Sequence, residues 1–128
     1  MGRNNQVIAT GGSAIGNNNQ AMAMYSTAIG NDNYAIGENS SAIGLGNNIT
    51  ANDATALGNK NTASGISAGA VGISNTASGH NAQAFGYLNE ATGQDSQAFI
   101  AQNKARSVMP ALLGMKMRLR PMRAVRWV

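Results

Sequence analysis

The sequence predicts an all-β fold, a parallel β-solenoid made of fourteen-residue coils, and three observations carry that prediction. First, the triplet Ala-x-Gly recurs in one phase, at Ala14-Ile15-Gly16, Ala28-Ile29-Gly30, Ala35-Ile36-Gly37, Ala42-Ile43-Gly44 and Ala56-Leu57-Gly58, then at Ala63, Ala70, Ala77, Ala84 and Ala91. Every triplet begins at a multiple of seven, and weaker triplets at Ala21, Ile49, Ala98 and Ala105 keep the count. Second, the middle residue is large and apolar only in alternate units, at Ile15, Ile29, Ile43, Leu57, Val71, Phe85 and Phe99. The other set runs Ile36, Thr50, Ser64, Ser78 and Thr92, so the true period is fourteen, composed of two similar halves. Third, Gly and Asn stand where a helix or coiled coil would need helix formers, and both residue types oppose helix.

Each half-coil is expected to be a strand of about four residues followed by a three-residue turn rich in Asn, Asp, Gly and Ser. Gly16, Gly30, Gly44, Gly58, Gly72 and Gly86 are read as turn glycines, supplying φ > 0 directly after each large apolar residue. Stacking then places like over like. The seven large residues form a structural apolar ladder, Ala and Gly permit close sheet approach, and Asn side chains cap turns and stack in ladders of their own. Seven coils between residues 7 and 105 give a rod of roughly 35 Å. The chain of 128 residues carries 22 Ala and 17 Asn but only 5% aromatics, so its 43% hydrophobic fraction is largely methyl groups. Such a thin rod buries too little by itself and calls for partner chains. The absence of Cys removes disulfides and thiolate metal sites. No apolar run reaches the roughly 18 residues that would cross a membrane, and no apolar stretch at the N-terminus reads as a signal peptide.

The net charge of +4 misleads until it is located. Through residue 103, Arg3 and Lys60 face Asp32, Glu38, Asp53, Glu90 and Asp95, a balance of −3. From Lys104 onward there are seven cations and no acid. The chain therefore divides into a leader at 1–6, repeats at 7–105, and a basic Met- and Arg-rich tail at 106–128. Three readings of the tail stand. Lys104, Arg106, Lys116, Arg118, Arg120, Arg123 and Arg126, with Met115, Met117, Leu119 and Trp127, form a cationic strip for phosphates or an anionic membrane. Pro121 interrupts any helix there, and no aromatic interleaving supports a nucleic-acid module, so none is expected as partner. Alternatively the tail caps the solenoid end. The third and favoured reading is frameshifted repeat: shifting the codon frame makes Met109-Pro110 encode Ala, Met115-Lys116 encode Glu and Trp127-Val128 encode Gly, which restores repeat-like sequence.

Stretches such as Asn39-Ser40-Ser41-Ala42-Ile43-Gly44 and Ser96-Gln97-Ala98-Phe99 resemble the head repeat of trimeric autotransporter adhesins, the YadA-like group, across about residues 7 to 105. The resemblance implies a left-handed parallel β-roll, with three rolls packed around a threefold axis. It also implies that the large middle residues face the inside of each roll while the small Ala positions let the chains approach. A non-enzymatic homotrimeric head binding extracellular matrix, host cells or other bacteria follows, held at the bacterial surface by an outer-membrane anchor in a full-length parent. This chain, with no stalk, anchor or signal peptide in its sequence, is then expected to be a truncated fragment.

Other chemistry finds little footing. His80 is the only histidine, the five acids are spread singly, and no cofactor, metal or catalytic set is expected. The seven-residue period does not match the nine-residue pattern of calcium-binding solenoids. Tyr25, Tyr34 and Tyr87 lie at or beside turns and cover sheet edges or serve as contacts. The competing function is an ice- or polymer-binding solenoid using the polar ladder Thr50, Ser64, Ser78 and Thr92, although Ser interrupts the Thr array such a face would want.

Overall fold

The computed structural model describes residues 2–106, and every one of its named elements is a strand. Five-residue and two-residue strands alternate along the chain. The short set is β1 (Gln6–Val7), β3 (Gln20–Ala21), β5 (Tyr34–Ala35), β7 (Asn48–Ile49), β9 (Thr62–Ala63), β11 (Thr76–Ala77), β13 (Glu90–Ala91) and β15 (Lys104–Ala105). The long set is β2 (Ser13–Asn17), β4 (Thr27–Asn31), β6 (Ser41–Leu45), β8 (Thr55–Asn59), β10 (Gly69–Ile73), β12 (Gln83–Tyr87) and β14 (Gln97–Ala101). The long strands form one seven-stranded parallel sheet and the short strands one eight-stranded parallel sheet, both in chain order. Every pairing advances by fourteen residues, as in Ile15 against Ile29 and Ala77 against Ala91. This is the β-solenoid of about seven turns that the repeat predicts, with one difference in division: the two halves of a coil are unequal strands of five and two residues, not matched strands of about four.

Two corners turn each coil, and both use the left-handed backbone region. The first lies after the long strand, at Asn18, Asp32, Lys60, Ser74, Leu88 and Gln102 (φ 54° to 57°). The second lies before the next long strand, at Tyr25, Asn39, Asp53, Ser67, Asn81 and Asp95 (φ 55° to 58°). Asn and Asp tolerate this conformation best, which accounts for their concentration at these two places. The corners also stack through the backbone. Asp32 N–H donates to the Asn17 carbonyl at 3.0 Å, and Asp53 N–H to the Glu38 carbonyl at 2.8 Å. Coil-to-coil hydrogen bonding thus continues around the turns rather than stopping at the strand ends, leaving few backbone groups unpaired.

The interior is narrow and lined by small residues. Ala28, Ala42, Ala56, Ala70 and Ala84 of the long strands and Ala21, Ala35, Ala63, Ala77 and Ala91 of the short strands are fully buried. Ser26, Ser40, Ala54, Ala68, Ala82 and Ser96 close it at the second corner, and among the described residues Ile49 is the one large apolar residue fully enclosed. The expectation that Ile15, Ile29, Ile43, Leu57, Val71, Phe85 and Phe99 face the inside is therefore overturned. Strand alternation sends neighbouring residues to opposite faces, and the inner face belongs to Ala. The glycines at 16, 30, 44, 58, 72 and 86 also differ from their expected place: they lie within the long strands, not in the turns. Gly44 shows why glycine is needed there. Its φ is +128°, and a Cβ at that position would fall 2.0 Å from the carbonyl oxygen of Gly58 in the next coil.

Candidate functional site

Because the inner face of the seven-stranded sheet is lined by alanines, the large apolar residues stack on its outside. Ile15, Ile29, Ile43, Leu57, Val71, Phe85 and Phe99 are direct register partners from strand to strand. Ile15 is 49% exposed, Ile43 37% and Phe99 43%, while Ile29, Leu57 and Val71 are half-buried by their neighbours. At about 4.8 Å per strand the column runs roughly 29 Å. Its far end is aromatic, with the Phe85 and Phe99 rings 5.3 Å apart and tilted by 32°. Two residues further along the same strands, Leu45, Ile73 and Tyr87 add exposed apolar surface beside the column, and two residues earlier Ser13, Thr27, Ser41 and Thr55 give it a hydroxyl border. A continuous apolar stripe with a polar margin marks an interaction surface. Covering the remaining exposed area of seven such side chains is worth on the order of 6 kcal/mol per chain, enough to drive association.

The same column position in the short sheet changes character along the rod. Thr50, Ser64, Ser78 and Thr92 are exposed there, but Ile36 occupies the coil before and is also exposed. The polar column thus spans only part of the face.

The charged and aromatic candidates do not converge. Asp32, Asp53 and Asp95 each sit at a corner and accept a hydrogen bond from the amide Nδ2 of Asn18 (3.1 Å), Asn39 (3.1 Å) and Asn81 (3.0 Å) one coil earlier. Glu90 pairs with Lys104 at 3.3 Å, both partners exposed. His80 is exposed at a corner, Tyr34 Oη accepts from the Gln20 amide at 3.3 Å, and the Tyr25 ring lies over Gly11. Among the described residues no three His, Asp or Glu side chains gather in a way that would hold a metal ion.

The asparagines expected to cap turns and stack in ladders do stack, but one column of them lies inside the roll, which sequence reasoning did not place there. Asn19, Asn33, Asn47, Asn61, Asn75 and Asn89 are fully buried just after the first corner, with Asn5 and Asn103 at the ends. Asn47 is representative. Its Nδ2 donates to Asn33 Oδ1 (3.0 Å), to the Ile43 carbonyl of its own coil (3.0 Å) and to the Gly58 carbonyl of the next (2.9 Å). Its Oδ1 accepts from the backbone N–H and the Nδ2 of Asn61, at 3.0 and 3.1 Å. All the amides point the same way along the rod, so each bond polarises the next. The signal was present in the sequence: Asn recurs at spacing fourteen from residue 5 to residue 103 without exception. A residue type kept at every coil, where other turn positions vary, is a core position and not a turn filler.

The described residues thus form a stacked β-tube with an apolar stripe on one outer face and a buried amide spine, a class of parallel β-solenoid built from fourteen-residue coils. The YadA head domain repeat family matches residues 8–33, 23–47, 35–61, 50–72, 63–89 and 77–99. These overlapping matches cover most of the chain, and it belongs to the YadA head family, whose members are adhesin-type, non-enzymatic heads. No match was found among curated proteins.

Proposed function

We propose that this chain is the adhesive head of a homotrimeric bacterial surface protein, binding extracellular matrix, host cells or other bacteria without catalysing a reaction. The observation that carries the reading is the outward ladder from Ile15 to Phe99: a monomer would leave this stripe in water, whereas three copies packed through it would bury it. Family membership supports the adhesive role and a surface location, with an outer-membrane anchor in the full-length parent. Adhesion then rests on multivalency. Three chains and seven coils present the same exposed Asn, Gln, Thr and Ser rungs many times, and weak contacts gain avidity through repetition.

Sedimentation equilibrium of the full chain tests the assembly, with a mass of three chains expected. Ile43→Lys places a charge in the middle of the stripe and is expected to shift the species to one chain. A wild-type protein that sediments as a folded monomer refutes the assembly. Adhesion is tested separately, by binding of the trimer to immobilised matrix proteins and to bacterial and host cells. A trimer that binds none of these refutes the adhesive role.

A further inference from the structure

Ile100 breaks a pattern that holds elsewhere in its column. It is the register partner of Gly86, and the five earlier coils carry glycine at the same place. The geometry gives the reason for glycine. A Cβ on Gly58, Gly72 or Gly86 would lie 2.1, 2.0 or 2.0 Å from the carbonyl oxygen of Gly72, Gly86 or Ile100 respectively, always in the coil that follows. That carbonyl is also the one held by the asparagine spine: Asn61 Nδ2 donates to the Gly72 carbonyl and Asn75 Nδ2 to the Gly86 carbonyl, both at 2.8 Å. The side of this residue facing the C-terminal end must therefore be bare, because the next coil's carbonyl needs the space.

Ile100 fills that space. Its backbone stays in the left-handed region at φ 84°, where a β-branched residue is a genuine outlier, and at 82% it is the most exposed of the large apolar residues described. A strained, β-branched, solvent-exposed residue violates three local preferences at once, and such violations mark sites kept for another purpose. The neighbouring edge strand supports one purpose. β15 carries Lys104, followed by Arg106, and charged side chains on an edge discourage further strand pairing. Among the described residues, the Asn103 amide donates to its own coil's Phe99 carbonyl and reaches no later coil.

We infer that the Cβ of Ile100 blocks β14 as a stacking surface, so that neither an added repeat coil nor the end of a second copy docks on it in the register used upstream. Among the described residues nothing pairs with the outer edges of β14 and β15, and open N–H and C=O groups of that kind are a template on which rods add end to end. The block resides in the Cβ, not in side-chain bulk, which makes it testable by two substitutions at one position.

The experiment inserts a second copy of residues 64–77 between Ala105 and Arg106 of the full chain, in three forms: wild type at 100, Ile100→Gly and Ile100→Ala. Amide hydrogen exchange of the inserted coil is read against that of residues 13–87 in the same sample. The inserted amides are expected to exchange at least about tenfold more slowly in the Ile100→Gly form than in the other two, since only glycine lets the coil dock. Equal exchange in the wild-type and Ile100→Gly forms, whether fast or slow, overturns the inference. So does an Ile100→Ala form as protected as Ile100→Gly, because alanine keeps the Cβ.

Discussion

Replacing Asn61 by Ala tests whether the buried amide column, more than the strands themselves, fixes one coil upon the next. Asn61 is fully buried, and its Nδ2 donates to Asn47 Oδ1 (3.1 Å), the Leu57 carbonyl (2.9 Å) and the Gly72 carbonyl (2.8 Å). Its Oδ1 accepts from the Asn75 backbone N–H at 2.9 Å and from Asn75 Nδ2 at 3.1 Å. Alanine leaves the Asn75 N–H without this acceptor and the Leu57 and Gly72 carbonyls without their amide donor. A buried polar group left unpaired costs about 1–3 kcal/mol. Counting the donor fully and the carbonyls, which keep a second lone pair, at the lower end gives a loss of about 4 kcal/mol. That is a large share of the roughly 5–15 kcal/mol that holds an ordinary domain together. The control is Asn31→Ala, where an exposed amide accepts one bond from Asn17 at 3.1 Å and the expected change is within about 0.5 kcal/mol. Urea unfolding followed by circular dichroism, at one fixed protein concentration so that the proposed association weighs equally on both variants, measures both. A loss below about 1 kcal/mol at Asn61, or one no larger than at Asn31, would refute the reasoning.

Three further outcomes follow from the same geometry. Gly44→Ala forces a Cβ within 2.0 Å of the Gly58 oxygen at φ +128° and is expected to cost about 3 kcal/mol or more, whereas Gly46→Ala, at a corner with φ +67° where a Cβ meets only the Lys60 side chain at an ordinary 3.6 Å, costs about 1 kcal/mol; thermal melts of the two separate steric conflict from backbone preference. Ala42→Leu overfills the interior and is expected to lose at least about 2 kcal/mol, while Ile43→Leu, one residue away on the outer face, stays within about 0.5 kcal/mol; similar unfolding midpoints for the pair would contradict the inward and outward assignment. The tail at 107–128 lies outside the described residues, and the frameshift proposal for it is read from DNA: the alternative frame is expected to encode Ala-x-Gly triplets without stops, and a stop codon there ends the proposal.

The repeat made the coil length, the parallel stacking and the register legible, because a period of fourteen leaves only one way to place like residues over like. What the period does not give is which side of each strand is inside. Ala14 and Ile15 are adjacent, so alternation assigns them to opposite faces and size alone tempts one to bury the isoleucine. The variation along each column points the other way. The column from Ile15 to Phe99 accepts Ile, Leu, Val and Phe, a range of volumes that a close-packed interior of fixed width would not tolerate. The column from Ala14 to Ala98 accepts Ala alone, and the short-strand column departs from it inside the roll only at Ile49. Uniformity marks the enclosed side of a thin tube and variety marks the side that meets solvent or a partner, whatever the hydrophobicity. By the same logic the asparagines, polar yet invariant at spacing fourteen, belong to the interior, where a half-satisfied amide would be costly and only an unbroken run satisfies every member. The exposed ladder is then not surplus hydrophobicity: a tube whose inside is alanine and asparagine has to place its large apolar groups on a surface that another chain can cover.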